Sequence, residues 1–170
     1  MKTMKRILAL SLSTVLLLAL LCSCGGGGGN ADVTIDLNDL WNKISALSDD
    51  EGPLSEMAFI EATDDDLTNL YGINAADLDG YVVRVPMMNV NATEFFIAKV
   101  KDGKMDTVKA ALEARQANLD TQWSTYLPEQ YELVQNYKLT TNGSYIFFAV
   151  SKFAGQAEGL FNDAIADAKS

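Results

Sequence analysis

The sequence predicts an α+β domain, in which a mostly antiparallel sheet of four to five strands packs against a long helix and a C-terminal helix. Three observations predict it. Segments rich in β-branched and aromatic residues come in two pairs, each joined by a short connection. Apolar residues recur at helical spacing from Met105 to Tyr126 and from Phe153 to Ala168. These elements follow one another without regular βαβ alternation, which favours antiparallel pairing.

The first predicted elements are short and have polar caps. Asp36 precedes an apolar stripe that runs from Leu37 to Leu47, which predicts a capped helix. Residues 57–60 form an apolar run of strand length. Thr63 then stands before three aspartates, where a hydroxyl and carboxylates favour a helix N-terminus, and Gly72 is expected to end that helix.

Two β-hairpins follow from residue type and loop length. Residues 81–88 and 93–101 are rich in strand formers, and four residues separate them. Residues 138–141 and 144–151 flank Asn142-Gly143, the strongest short hairpin signal. Together they supply four of the predicted strands.

The longest helix is predicted between the two hairpins, with its apolar stripe running from Met105 to Tyr126. Arg115 falls on that stripe, so it either lies at the margin with its charge in solvent or meets a buried carboxylate. Pro128 is expected to break the helix, and residues 129–135 are expected to form a second, short helix.

The N-terminal segment has the pattern of a secretory signal peptide. Lys2, Lys5 and Arg6 precede an apolar run, residues 7–21, that is too short to span a bilayer. We therefore expect three parts: a signal peptide at 1–23, a lipidated cysteine with a glycine-rich tether at 24–35, and one globular domain at 36–170.

The run Leu21-Cys22-Ser23-Cys24 resembles the lipobox of bacterial lipoproteins, with small Ser23 directly before the modified cysteine. The resemblance implies that lipid is attached to Cys24, which becomes the mature N-terminus. Two acyl chains would anchor the protein stably, whereas one gives only reversible binding. The expected location is the extracytoplasmic face of the cell membrane.

Composition excludes several classes of function. The 170-residue chain has two cysteines, both in this N-terminal segment, and no histidine, so it cannot form a disulfide framework, a Ser-His-Asp triad or a His-based metal site. Without residues 1–23, 10 basic residues remain against 23 acidic ones, a formal charge of −13. Such a chain repels phosphate, so nucleic acid is not an expected partner.

Four stretches give a resemblance to a family of proteins. They are residues 71–73 (YGI), 85–90 (VPMMNV), 109–115 (KAALEAR) and 126–131 (YLPEQY). Through these four stretches the chain resembles an uncharacterised set of Firmicutes lipoproteins that share a domain of unknown function, DUF4358. The similarity extends from about residue 40 to residue 152. The resemblance implies a lipid-anchored exterior protein and brings no activity or catalytic residues.

One further pair of side chains is a candidate for binding. Met87 and Met88 stand at the predicted end of a strand, where core packing is the favoured interpretation. A groove for a partner protein and a copper(I) site are the alternatives. The many aspartates suit helix capping and a solvated face, so we expect no metal, no cofactor and no catalytic residues.

These observations predict a non-enzymatic binding or adaptor module at the bacterial cell surface, held to the membrane by lipid on Cys24, with a membrane or envelope protein as its possible partner. The alternative is an envelope-associated hydrolase or accessory enzyme that uses carboxylates without His or Cys. A cleft with converging polar groups would favour the enzyme, and an exposed apolar patch around Met87 and Met88 would favour the binding module.

Overall fold

The computed structural model describes residues 33–170, so the expected signal peptide, Cys24 and most of the tether lie outside the described residues. Within them the strands are β1 (Ser48–Asp49), β2 (Gly52–Pro53), β3 (Phe59–Glu61), β4 (Leu78–Pro86), β5 (Glu94–Val100), β6 (Lys138–Asn142) and β7 (Tyr145–Val150). The helices are α1 (Leu37–Ser45), α2 (Asp64–Asp66), α3 (Met105–Trp123), α4 (Pro128–Gln135) and α5 (Ala154–Asp167). Helix α2 continues as a π-helical turn, Leu67–Tyr71.

Five strands form one sheet in the order β3-β4-β5-β7-β6, and every neighbouring pair is antiparallel. Strands β4 and β5 form the first predicted hairpin, and β6 and β7 form the second around Asn142-Gly143. Gly143 has a φ of +61°, which a residue without a side chain adopts at little cost. The predicted α+β fold is confirmed.

Both faces of the sheet are buried. On one face, residues such as Phe96 and Phe148 pack against Val108 and Leu112 of α3. The other face is covered by α1 and α5, whose buried residues include Leu40, Ile44, Phe161 and Ile165. The domain is therefore a three-layer sandwich, with the long helix and the C-terminal helix on opposite faces. Burial on both faces explains why β5 and β7 are almost continuously apolar.

Side-chain capping begins the early helices as expected. The Asp36 carboxylate accepts the N–H groups of Asn38 and Asp39, and α1 starts directly after it. Thr63 and Asp66 form a reciprocal capping box at α2. Gly72, with a φ of +68°, ends the π-helical turn.

Two details differ from the sequence-based expectation. Residues 49–53 (DDEGP) have the charge and turn formers of a loop, but with Ser48 they form the small β1–β2 ribbon, in which Ser48 pairs with Pro53. Strands of two residues produce no periodicity, so the pattern could not indicate them. Helix α3 also ends at Trp123, before the expected Tyr126, and Pro128 is the first residue of α4. Proline is favoured there because the first helical N–H needs no partner.

The sheet has two ends, which we name by residues of the central strands. At the Glu94 end β5 begins and β7 ends; at the Tyr145 end β7 begins and β5 ends. The Tyr145 hydroxyl accepts the Ile35 N–H (3.1 Å) and donates to the Val33 carbonyl (3.2 Å). The segment that leads to the N-terminus therefore joins the domain at the Tyr145 end.

Along the described residues, no helix combines the length and hydropathy that crossing a membrane requires.

Candidate functional site

A buried ion pair lies at the Glu94 end of the sheet. Glu94 is the first residue of β5 and is only 1% exposed. Arg115 approaches it from α3, with Nε 3.0 Å from Oε1 and Nη2 2.5 Å from Oε2. This bidentate geometry is the strongest arrangement available to these groups. Of the two positions expected for Arg115, the structure selects contact with a buried carboxylate.

Tyr71, the last residue of the π-helical turn, completes this cluster. The Arg115 guanidinium lies 5.3 Å from the centre of the Tyr71 ring, which also packs on Phe96. Burial raises the pKa of the Tyr71 hydroxyl well above its ordinary value, and the charge of Glu94 raises it further. Burial also lowers the pKa of Arg115, but hydrogen bonds and charge from Glu94 outweigh that effect and leave it raised. Arg115 is therefore charged at neutral pH and forms an ion pair with Glu94.

A cavity of about 140 Å³ opens beside the ion pair, and we call it the Arg115 cavity. Its walls come from α3, from the π-helical turn and from the connection between β4 and β5. They consist of Leu70, Pro86, Asn89, Asn91, Ala92, Glu94, Arg115, Leu119, Gln122 and Trp123. Trp123 is 2% exposed, and its indole N–H has no hydrogen-bond partner among the described residues. The same holds for the Tyr71 hydroxyl.

Exposed apolar side chains stand on the two loops that flank this cavity, and we call them the apolar rim: Met87, Met88, Val90, Tyr126 and Leu127. Met87 and Met88 are 59% and 63% exposed, so the favoured interpretation, core packing, is wrong. Pro86 ends β4, and the chain then leaves the sheet before it can bury them. Leu127 has a φ of +47°, an uncommon conformation for a residue with a side chain.

The β4–β5 connection is hydrogen-bonded to α4, the helix that follows the second loop. The Ala92 N–H of the β4–β5 connection donates to Oε1 of Gln130 in α4, at 2.9 Å. Asn91 accepts the Thr93 N–H through its side chain, at 2.8 Å, which fixes the turn into β5. The walls of the Arg115 cavity therefore come from connections with defined hydrogen bonds.

A second concave surface, of about 370 Å³, lies on the other side of Asn91 and extends to Thr93, Gln130 and Lys152. The Lys152 ammonium lies 2.8 Å from Asp49 and 2.5 Å from Glu51 of the β1–β2 ribbon. Hydrogen bonds to these carboxylates raise the pKa of Lys152. Lys152, the basic residue among those that line this surface, is thus already paired with two carboxylates.

The Glu94 carboxylate is fully engaged by Arg115. Both Glu94 oxygens accept hydrogen bonds from Arg115, which leaves that carboxylate poorly placed to exchange a proton with a substrate. Among residues 33–170, no group of three or more acidic or other ligand side chains could hold a metal ion. Met87 and Met88 lie between Pro86 and Asn89, which line the cavity. Cys24 lies outside the described residues.

The model of the DUF4358 family, a domain of unknown function, matches residues 50–151. The chain belongs to this family. Neither the curated proteins nor the solved structures contain a match to the chain. The DUF4358 match covers β3 through β7 and hence every strand residue at the Glu94 end. Each of the four stretches that carry the resemblance to DUF4358 contributes to this end, through Tyr71, Pro86, Arg115 and Gln130.

Sequence reasoning singled out Arg115 but missed its companions. Glu94 is one of 23 acidic residues, and hydropathy alone does not distinguish it from the others. Trp123 falls on the predicted apolar stripe of the long helix, and Tyr71 at the end of the helix that Gly72 stops, so neither position indicates contact with Arg115. The available signal was a charged residue at the edge of an otherwise apolar strand, because an unpaired buried charge is rare.

Proposed function

We propose that this DUF4358 protein is a lipid-anchored module at the outer face of a bacterial cell membrane, and that it binds an envelope or membrane protein with the Glu94 end of its sheet. The lipobox pattern around Cys24 supports the anchor. The position of the apolar rim supports the binding role. That rim lies at the Glu94 end, whereas the N-terminal segment joins the domain at the Tyr145 end.

This separation is the observation that carries the proposal. Strand β7 has six residues, so Tyr145 and Val150 lie about 17 Å apart. The apolar rim therefore lies at the end of the sheet opposite to Val33, the first described residue. The rim loops, residues 86–93 and 124–128, carry no charged side chain, although the chain has a formal charge of −10. Interface cores are likewise depleted of charge and enriched in aromatic residues and Met.

The anchor is tested by metabolic labelling with palmitate in a bacterial host. Cys24→Ala is expected to abolish incorporation and to release the protein from the membrane fraction. Cys22→Ala is the matched control, because it removes the other cysteine two residues away, and it should retain label. Label that survives Cys24→Ala contradicts the anchor.

The binding surface is tested separately, with a photoactivatable amino acid in intact cells. Incorporated at Met88, it is expected to give a discrete crosslinked species that Tyr126→Ser diminishes. Incorporated at exposed Asp102, which follows β5 beyond the Tyr145 end, it should give none. Equal crosslinking from Met88 and Asp102 would show that the Glu94 end has no specific partner.

A further inference from the structure

The outer edge of β3 is one of the two open edges of the five-stranded sheet. The Ala62 N–H donates to the Val83 carbonyl of β4 at 3.1 Å, so the backbone groups of residue 62 point into the sheet. Because successive residues of a strand alternate in this respect, the N–H and C=O groups of Phe59 and Glu61 point outwards. Within the described part of the chain these groups have no hydrogen-bond partner. They are available to pair with a further strand.

The two open edges differ in what surrounds them. On β6, the side chains of Thr140 and Asn142 are hydrogen-bonded to side chains of α5, and no large apolar side chain of this strand is exposed. On β3, Ile60 is 44% exposed. The Met87 N–H donates to the Ala58 carbonyl at 3.1 Å, so the apolar rim begins on the chain segment paired with β3. The β3 edge therefore combines open backbone groups with exposed apolar surface.

The charge around β3 is strongly negative. Residues 44–83 contain ten acidic residues and no lysine or arginine. Glu56 stands shortly before β3, Glu61 is its last residue, and Asp64 and Asp65 follow closely. The Glu61 side chain remains 75% exposed, although Arg84 approaches it to 3.4 Å. Such a surface attracts basic side chains.

The same charge disfavours a second copy of the chain as the occupant of this edge. Antiparallel pairing of two β3 strands would bring two acidic stretches together, with the Glu61 side chains near each other, and like charges at neighbouring cross-strand positions destabilise a sheet. The formal charge of −10 on each chain adds to the repulsion. Charge complementarity therefore favours a different protein, one whose added strand is basic.

The two faces of β3 specify how such a strand would be arranged. Glu61 and Ile60 point to opposite faces of the sheet. A basic residue directly opposite Glu61 would lie about 4.5–5.5 Å from it, and the next residue of the added strand would lie on the face of Ile60, where an apolar side chain fits. We propose that the outer edge of β3 binds, by strand addition, an extended segment of a partner protein in which basic and apolar residues alternate.

This inference rests on the proposed binding role and names the chemistry of the partner. The probe is a short peptide that alternates lysine with valine, labelled with a fluorophore and titrated against the full-length chain in detergent. Its fluorescence anisotropy should rise to saturation. A peptide with glutamate in place of lysine should bind at least about tenfold more weakly, because like charges then face Glu61.

Backbone methylation of the peptide tests the strand pairing itself. Alternate residues of an added strand direct their N–H groups towards β3 and towards solvent. N-methylation of one alternate set of residues should therefore abolish binding, whereas methylation of the other set should leave it largely intact. Equal effects of the two methylated peptides would show that the peptide does not add as a strand.

Matched variants of the protein locate the site on β3. Glu61→Gln should weaken binding by about two- to fivefold, which corresponds to one exposed ion pair. Asp79→Asn removes an equally exposed class of carboxylate from the same acidic stretch, but near the start of β4, beyond the part paired with β3, and should leave binding unchanged. Ile60→Thr keeps a β-branched side chain and removes apolar surface. It should weaken the lysine–valine peptide but not a lysine–serine peptide.

The outcomes separate this inference from the proposed function. If the lysine–valine peptide does not bind, or if Glu61→Gln and Asp79→Asn behave alike, the strand site is overturned. Self-association of the chain in sedimentation that Ile60→Thr abolishes would show a second copy at this edge and would also overturn it. A specific crosslink from Met88 would in either case still support protein binding at the Glu94 end. If the peptide binds as expected and Met88 gives no specific crosslink, the β3 site stands, and recognition by the rim is overturned.

Discussion

The ion pair between Glu94 and Arg115 is the feature on which the Glu94 end depends most. A buried carboxylate is tolerated only when a cation and hydrogen bonds compensate for its lost hydration. Arg115 provides both, from a helix that would otherwise present an apolar stripe. The pair also fixes α3 against the start of β5, next to the loop that carries Met87 and Met88.

Removal of Arg115 should therefore be far more costly than removal of the pair. Arg115→Met leaves the Glu94 charge buried and unpaired, and we expect the free energy of unfolding to fall by about 3–5 kcal/mol. Adding Glu94→Gln to this variant should restore most of the loss. Urea denaturation of both variants measures the difference. A double variant no more stable than Arg115→Met would mean that the Glu94 charge is not the source of the cost.

Removal of the Tyr71 hydroxyl, in contrast, should not destabilise the fold, because this group is buried and has no partner among the described residues. Tyr71→Phe keeps the ring against Arg115 and removes the unsatisfied group. The free energy of unfolding should stay constant or rise, by up to about 1–3 kcal/mol. Tyr81→Phe is the control, since the Tyr81 hydroxyl donates to Asp64 at 2.6 Å and its loss should lower the melting temperature. Destabilisation by Tyr71→Phe would indicate a hydrogen bond to solvent or ligand.

At the residue scale, the sequence could indicate that Arg115 required an explanation, but not which residue supplied it. The stripe of α3 follows from local spacing alone. The partner of Arg115 depends on how α3 lies across β5. Glu94 is 21 positions from Arg115 in the sequence, and it is one of 23 acidic residues. The exposure of Met87 and Met88 was unpredictable for a related reason: hydropathy favours burial, and only the end of β4 at Pro86 releases them.

At the scale of elements, the start of α2 depends on a charge that can be titrated. The Thr63 N–H, and then its hydroxyl, donate to Asp66 and lower the pKa of that carboxyl. A carboxyl whose pKa is lower in the folded chain stabilises the fold at pH values above its unfolded pKa, near 3.9. That contribution disappears as the pH falls through the folded pKa.

The difference in melting temperature between the natural chain and Asp66→Asn should consequently be constant from pH 5 to 8 and shrink below about pH 4. Asp65→Asn is the matched control: it removes a neighbouring, exposed carboxylate that makes no capping hydrogen bond. Its effect should be smaller at every pH. Thermal unfolding followed by circular dichroism measures both. A gap that persists unchanged at pH 2.5 would contradict the role of the Asp66 charge.

Elements with local chemical signals were predicted best. Asn142-Gly143 specified a tight hairpin, Asp36 and Thr63 specified helix starts, and Gly72 specified a stop. The ribbon of residues 48–53 could not be predicted, since its two-residue strands are stabilised by contacts from elsewhere, including the ion pairs of Lys152. That lysine lies 101 positions from Glu51, beyond the reach of any local pattern.

At the scale of the whole molecule, the sheet is the middle layer of three. Strand β7 carries Tyr145, Ile146, Phe147, Phe148, Ala149 and Val150, all of them fully buried. Such unbroken apolar runs indicate strands covered on both faces. Alternation would have indicated one exposed face. The sequence thus contained the evidence for the third layer, and local spacing could not say which helix covers which face.

The Tyr145 hydroxyl links this middle layer to the N-terminal segment, and its removal should loosen that segment alone. Tyr145→Phe deprives the Ile35 N–H and the Val33 carbonyl of their partner. We expect faster hydrogen exchange at Ile35 and a loss of about 1–2 kcal/mol in the free energy of unfolding. Exchange at Ile44, inside α1, should accelerate only by as much as the loss of global stability requires. Unaltered exchange at Ile35 would show that the segment is fixed by packing instead.

The position of Tyr145 also determines how the domain would respond to mechanical load. A pull on Val33 is transmitted along the chain to α1 and through the Tyr145 hydroxyl to one end of β7, and a force applied at the other end would oppose it along the strand axis. Hydrogen bonds between antiparallel strands run perpendicular to that axis, so such a force loads them simultaneously in shear. Strand β7 is paired on both sides, by β5 and β6. A force between Val33 and the Glu94 end would thus act on a strand that is paired along both of its edges.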